Sequence, residues 1–470
     1  MTETADSAEL IEPLARCLDA ATDWTPVTIE DLVRLSGGAS RDTWSFDAVE
    51  ASGARHPLIV QRTRSLVVDA WVETETEACL IEAAQAAGVP VPDLTTWSAD
   101  PTLLGLPFLI LERVEGETIP QRILRSDQFD KAREVLANDY GAALGRIQQI
   151  PVDQVRGLKD QDPLTHFAEV LADDGEPHPV LDFGLRWLTA NRPPSLGRVV
   201  VHGDFRNGNG IVGDDGLQAI IDWELAHFGD PMEDLGWFCI RAWRFGAQLP
   251  VGGFGHYEQI IAGYESVTGR SVDRDVLRWW RVMGTVRWAA ICLMQGTTHW
   301  MGHRRSVELA VTGRRAAEAE FDLMLLLGTP SDSSTPPGSV AAIQPGSMGT
   351  PHDRPDVLEL VETVRQFLGE DVMGAVDGQL SFHVRVAMNA LAIAERELRL
   401  GPAHAAAQAV RLAKFGCTND AELGARIRSG QLDDRADEVA VALQELVWDK
   451  ISVMNPKYTN PYTPADAREY

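Results

Sequence analysis

The sequence predicts an α+β protein in which a strand-bearing first part passes into long helices, followed by a separate all-α unit. Three observations carry this. Residues 58–62 (LIVQR) and 108–114 (FLILERV) are short apolar runs of strand length. Residues 282–327 are helical in pattern, rich in Trp, Met and Leu, and end in GRRAAEAEFDLMLLLG. Residues 329–355, TPSDSSTPPGSVAAIQPGSMGTPHDRP, lose apolar periodicity to Pro, Ser and Gly and read as a linker. The expected organisation is an N-terminal helical extension (1–27), a main domain (28–328), the linker (329–355), an all-α domain (356–454) and an extended tail (455–470).

The elements follow from local pattern. Residues 76–87 place Leu80, Ala83, Ala84 and Ala87 on one helical face, and Gly88 with Pro90 ends the helix. Glu77 falls on that apolar stripe, where a carboxylate is costly unless paired, and Glu73 lies one turn earlier as its rival. Beyond the linker, residues 357–368 and 382–398 are helical in period, and Asn419 with Glu422 forms a capping box for a further helix. His299 and His303 share an i, i+4 helical spacing without an evident third ligand, beside Trp300 and Met301 that suggest packing.

Composition narrows the partners. The 470 residues are 44% hydrophobic and 24% charged, the balance of ordinary globular protein. Lys plus Arg is 42 against 69 Asp plus Glu, a net charge of −27 that repels phosphate backbones and anionic lipid, so neither nucleic acid nor membrane is an expected partner. The apolar run 103–111 is too short to span a bilayer, and the acidic first twenty residues do not resemble a signal peptide. A cytoplasmic location is expected. Five cysteines, without a CxxC, give no disulfide framework or zinc cluster.

The stretch that carries chemistry is VVVHGDFRNGNGIVGDDGLQAIIDWELAHFGDP, residues 199–231. A buried strand at 199–201 delivers His202, Gly203 and Asp204 to its end. Asp215-Gly216 is a strong two-residue hairpin signal, and a turn there sets Asn209 directly opposite Asp222. An amide oxygen and a carboxylate converging in this way suit Mg²⁺, which binds through one or two protein groups plus substrate phosphates. Asp204 beside them would accept a hydroxyl proton, and the three together make a phosphoryl-transfer site.

HGDFRNGN, followed by IIDWELAHFGDP and DLGW, resembles the aminoglycoside phosphotransferase-like family of small-molecule kinases, and in particular the kinase domains fused to some acyl-CoA dehydrogenases. The resemblance covers about residues 28–328. It implies a bilobal protein-kinase-like fold, with a β-rich N-lobe at about 28–114 and a mostly helical C-lobe at about 115–328. It also implies that ATP, or alternatively GTP, binds between the lobes. Asp204 is then the catalytic base, His202 and Arg206 support its loop, and Asn209 and Asp222 hold Mg²⁺.

Upstream, residues 35–49 (LSGGASRDTWSFDAV) resemble the nucleotide loop and would offer Gly37, Gly38 and Ser40 to phosphate. Arg62 of LIVQR takes the place of the strand lysine, and Glu77, counted back from GVPVP, is its expected ion-pair partner. FLILERVEGE resembles the hinge, whose backbone at Glu112 to Val114 would meet adenine. Gln148 stands where the family often has His. The last unit resembles a helical domain of unknown function found fused to such kinases, and through it the chain could form a homo-oligomer. The implied activity is transfer of the γ-phosphoryl group to a small-molecule hydroxyl, that of a hydroxyacyl-CoA-like metabolite or an aminoglycoside-like compound. The rival is a pseudokinase that binds nucleotide and acts as a scaffold through its C-terminal helices.

Overall fold

The computed structural model describes residues 3–35, 41–63, 72–328, 344 and 355–459. The chain begins with α1 (Glu3–Ala21), β1 (Val27–Arg34), β2 (Arg41–Glu50), β3 (Arg55–Thr63), α2 (Thr74–Ala86), β4 (Leu94–Ser98), α3 (Pro101–Leu104) and β5 (Phe108–Glu112). The middle holds α4 (Pro120–Arg125), α5 (Asp130–Ile147), α6 (Pro163–Asp173), α7 (Pro179–Ala190), β6 (Val199–Val201), β7 (Gly210–Gly213), β8 (Gly216–Ile220), β9 (His227–Gly229), α8 (Glu233–Phe238) and α9 (Tyr257–Thr268). The remainder is helical: α10 (Arg274–Trp300), α11 (Val307–Arg314), α12 (Ala316–Leu327), α13 (Val357–Phe367), α14 (Gly378–Lys414), α15 (Asp420–Arg428) and α16 (Ala436–Met454). The α+β class and the all-α C-terminal region are as the sequence predicts.

These elements form two compact units, Met1–Gln161 with Pro194–Asp273, and Asp162–Pro193 with Arg274–Tyr470. In the first, an antiparallel sheet of order β1-β2-β3-β5-β4 has two different faces. Even-numbered Trp44, Phe46, Leu58, Val60, Phe108 and Ile110 are buried on one face against Leu10, Leu14 and Leu18 of α1. The N-terminal helix is therefore a layer of the sheet's own core. Three buried leucines, each worth roughly 2 kcal/mol, outweigh the roughly 3 kcal/mol that Pro13 costs inside the helix. Odd-numbered positions of β2 and β3, among them Arg41 and Gln61, point to the opposite face. The rest of this unit holds the short antiparallel pairs β6-β9 and β7-β8, the latter resting β8 on α5, which packs along α9.

The second unit packs otherwise than composition divides the chain. α10, buried over 279–290 apart from Trp288, lies against α6, α7, α11 and α12. α12, on the near side of the 329–355 break, shares a core with α16 on its far side: the rings of Phe321 and Trp448 meet edge to face at 5.2 Å, and Lys450 Nζ reaches the buried carboxylate of Glu320 at 2.7 Å. Tyr458 Oη donates to Asp322 at 2.6 Å, so the start of the expected tail is tied to α12 as well. α15 is held on α7 by Arg428, 2.7 Å from Asp182. Of the expected linker, all but Gln344 and Pro355 lies outside the described residues, as do residues 460–470.

Smaller expectations resolve locally. Asn419 accepts the Glu422 N–H at 2.9 Å, but Glu422 returns to the Thr418 N–H at 2.7 Å, one residue earlier than a closed capping box requires. α10 ends at Trp300, so His303 is not on the helix with His299, whose Nδ1 accepts from Ser306 N–H at 3.0 Å. Among the described residues no helix is long and apolar enough to cross a membrane. The α12–α16 packing has a measurable consequence. A chain ended at Gly328 should be insoluble or melt well below the full chain, because Phe321 and Glu320 lose their partners. Melting of residues 1–328 at the full-chain temperature, followed by circular dichroism, would restore the boundary that composition suggests.

Candidate active site

The loop after β6 is built around Asp204. Its Oδ1 accepts from Trp237 Nε1 at 3.0 Å and its Oδ2 from Asn209 Nδ2 at 2.7 Å. Arg206 Nε donates to both oxygens at 3.1 and 3.0 Å, and the guanidinium lies over the Trp243 ring, 4.8 Å from its centre. These charge-assisted bonds orient the carboxylate. Fully buried His202 accepts the Asp204 N–H on Nδ1 at 3.2 Å, which leaves Nε2 to donate to Ile221 O at 3.2 Å. His202 thus ties the Asp204 loop to the strand that leads into Asp222.

Asp234, in the first turn of α8, holds the same loop from behind. It accepts the N–H of His202 at 2.7 Å and of Gly203 at 3.0 Å. Burial and the adjacent Glu233 push its carboxyl up to about 7, against the two N–H groups and His227. Gly203 has φ +84, and a Cβ there would lie 2.1 Å from Leu225 O, so only glycine passes at this point. Asp234 stands in the DLGW segment, where sequence reasoning assigned it no role; an acid at the start of a helix, able to accept from the N–H groups of a buried loop, was the available signal.

The hairpin differs from its expected register. The turn is Asp214-Asp215 rather than Asp215-Gly216: Gly213 pairs with Gly216, Val212 with Leu217 and, past a bulge, Ile211 with Ala219 and Gly210 with Ile220. Asn209 therefore faces Ile221, whose N–H it receives at 3.0 Å, and Asp222 lies one residue beyond. The reason is tertiary. Gly216, at φ +143, presses on α5 with no room for a Cβ beside Asp139 Oδ2, and that carboxylate accepts the Leu217 N–H at 3.3 Å. Asp222 then adopts φ 72, a strained backbone for a non-glycine residue, which re-aims its side chain. Burial and Glu224 push its carboxyl up to about 7; Arg41 opposes the shift, and Asp204 and Glu77 add to it.

On the face of the sheet opposite α1, the expected ion pair is replaced. Arg62 is on the α1 face, where it pairs with cross-strand Asp42 and donates to Leu104 O at 2.9 Å. Glu77, 3% exposed, is paired instead with Arg41 Nη2 at 2.7 Å. Glu73 is the exposed N-cap of α2, outside this pair. Arg41 Nη1 also donates to Gln61 Oε1 at 3.0 Å, and its Nε approaches Glu224 at 3.4 Å. Sequence reasoning passed over Arg41, Gln61 and Glu224. The signal was alternation: in RDTWSFDA the residues Trp44, Phe46 and Ala48 claim one face, which sends Arg41 to the other.

The remaining expected residues are placed as follows. Gly37, Gly38 and Ser40 lie outside the described residues. Glu112 ends β5 with its N–H donated to Asp93 O at 2.8 Å, and Arg113 N–H donates to Pro57 O at 2.9 Å, just before Val114. Glu117 and Val212 then exchange N–H···O bonds of 2.9 and 3.0 Å, which ties the segment after β5 to the Asn209 hairpin. Gln148 keeps a structural place, with Nε2 donating to Pro231 O and Oε1 accepting from Tyr264 Oη, both at 2.6 Å.

The family model described as "Phosphotransferase enzyme family" matches residues 31–270, half of the chain. The chain belongs to this family. A second model, described as a domain of unknown function, matches residues 374–458. The chain is 27% identical over 231 residues to mouse acyl-CoA dehydrogenase family member 10, covering 47% of this chain and 21% of the relative. It is 24% identical over 246 residues to chicken acyl-CoA dehydrogenase family member 11, covering 49% and 30%. The chain thus spans between a fifth and a third of the length of these relatives. A Ralstonia eutropha crystal structure, solved as a candidate aminoglycoside phosphotransferase, has the same fold, with TM-score 0.54 and 20% identity over 66% of this chain and 95% of that one.

The grip of Asp234 predicts a pH dependence. A carboxyl that titrates near 7 in the fold, against an ordinary 3.8, favours the fold most below about pH 4, and that contribution is lost as the pH rises towards 7. Asp234→Asn should be less stable than the native chain at pH 5, because the amide cannot accept both N–H groups, and should show a flatter fall in melting temperature between pH 5 and 8. Parallel slopes for the two proteins would remove Asp234 as the titrating group.

Proposed function

We propose that this phosphotransferase transfers the γ-phosphoryl group of ATP to the hydroxyl of a small molecule, with Asp204 as the base. The observation that carries the reading is the carboxylate of Asp204, oriented by Arg206, Asn209 and Trp237 and set in the field of Asp222. The hydroxyl oxygen attacks the γ-phosphorus, its proton passes to Asp204, and the bond from phosphorus to the bridging oxygen breaks with its electron pair leaving on ADP. Asp204 acts by holding the hydroxyl in line and taking the proton. The backbone of Glu112 and Val114 is proposed to meet adenine.

The donor set fits a magnesium ion. With Asn209 Nδ2 committed to Asp204, Oδ1 is the amide atom left for a cation, and Asp222 sits among Asp204, Glu77 and Glu224, an excess of negative charge that a divalent ion would offset. Asn209 and Asp222 would hold it, and bound there it would neutralise charge on the phosphates. Similarity to acyl-CoA dehydrogenase family members favours a hydroxyacyl-CoA-like acceptor over an aminoglycoside. An exposed apolar stripe on α13, Val357, Leu360, Val364 and Phe367, is consistent with self-association of the C-terminal helices.

Asp204→Asn should lower turnover by about 10²-fold or more while ADP affinity changes little. A near-native rate with chemistry limiting would reject Asp204 as the base. Asp222→Ala should weaken ADP binding strongly in Mg²⁺ and little in EDTA; equal losses by calorimetry in both buffers would take Asp222 out of the metal site.

A further inference from the structure

The strand position expected to carry a cation to the phosphates is filled, on the face that matters, by an uncharged residue. Residues 58–62 run LIVQR, and the pairing Thr43 with Gln61 and Asp42 with Arg62 places Gln61 on the face of Arg41 and Arg62 on the face of α1. Arg62 cannot change sides without sliding β3 by one residue, which would turn Leu58 and Val60 out of the core. A cation for this face must come from elsewhere.

Resting on the kinase reading above, we infer that Arg41, from the first position of β2, is the residue that links Glu77 of α2 to the nucleotide phosphates, in place of a cation from β3. Arg41 is 8% exposed, and its guanidinium touches Gln61 on β3 at 3.0 Å, Glu77 on α2 at 2.7 Å, and Glu224, in the loop two residues after Asp222, at 3.4 Å. It lies in the field of the Asp222 carboxylate, the proposed metal ligand. Three of its five N–H groups have partners among the described residues, which leaves two for phosphate oxygens. A planar fork suits this better than a lysine would, since one group must hold two carboxylates and an amide while still presenting N–H to an anion. Gln61 then contributes by orientation, its Oε1 fixing the guanidinium plane from the strand a lysine would otherwise occupy.

A purely structural pair would fix α2 and leave nucleotide affinity alone, so the test reads affinity and stability separately. ADP with Mg²⁺ is titrated by calorimetry into the full chain and its variants, with melting curves recorded alongside. Arg41→Lys, which keeps a cation for Glu77 and so guards against a variant that does not fold, should weaken ADP binding several-fold. Arg41→Gln should weaken it about tenfold or more, the scale of one charge-assisted hydrogen bond. Adding Gln61→Arg to Arg41→Gln should recover most of the loss by returning a cation to the same face. Arg62→Gln should lower the melting temperature and leave affinity unchanged. Native affinity in both Arg41 variants, or a loss seen instead with Arg62→Gln, overturns the inference alone. If the unmodified chain binds neither ADP nor ATP, the kinase reading fails first and this assignment with it.

Discussion

Two consecutive backbone N–H groups, those of His202 and Gly203, point into the buried carboxylate of Asp234, and the geometry of the active-site loop hangs from that grip. Buried N–H groups left without partners would each cost about 1–3 kcal/mol, so a loop that turns this sharply needs an acceptor behind it. Asp234 supplies one, and Gly203 supplies the left-handed turn that lets both N–H groups reach it. With the backbone fixed, His202 bonds forward to Ile221 O and Asp204 is presented to Arg206, Asn209 and Trp237. The cost is a second buried acid within a protein already rich in them.

That excess of acid explains the arginines. Asp204 is answered by Arg206, Glu77 and Glu224 by Arg41, and Asp42 by Arg62 and Arg34. Arginine is suited to all of these because its charge persists in buried surroundings and one guanidinium can serve several oxygens. Breaking a buried pair of this kind by removing one member costs on the order of 3–5 kcal/mol, which makes each choice of partner consequential. Asp222 is raised towards neutrality by burial and Glu224, with Arg41 opposing the shift.

In the second unit, helices on either side of the Pro/Ser/Gly-rich break share one core. Lys450 covers Glu320, Asn455 donates to Glu318 at 2.9 Å and Tyr458 reaches Asp322, so three acids of a single short helix depend on residues more than a hundred positions later. A low-complexity stretch between two segments says that the stretch itself has nothing to bury. It does not say that the segments it joins are strangers.

Local pattern determined a good deal of this protein. Strand-length apolar runs, helix periods, the α2 stop at Gly88 and the HGDFRNGN motif were legible because each depends on residues a few positions apart, and they led to the fold class, to Asp204 and Asn209, and to Glu77 as the acid on an apolar stripe. Alternation in RDTWSFDA separates Arg41 from the core face, but the partner of Glu77 was not legible from it. Which acid of a distant helix meets Arg41 is decided only where α2 brings Glu77 to the face of the sheet opposite Trp44, Phe46 and Val60. The hairpin register likewise shifted by one residue because Gly216 had to press against Asp139 on α5, a contact 77 positions away in the chain that no turn preference encodes. What tertiary structure alone decided were the contacts in which a side chain meets a distant element, since there the free energy of burial and pairing, of several kcal/mol, overrides local preferences of one or less.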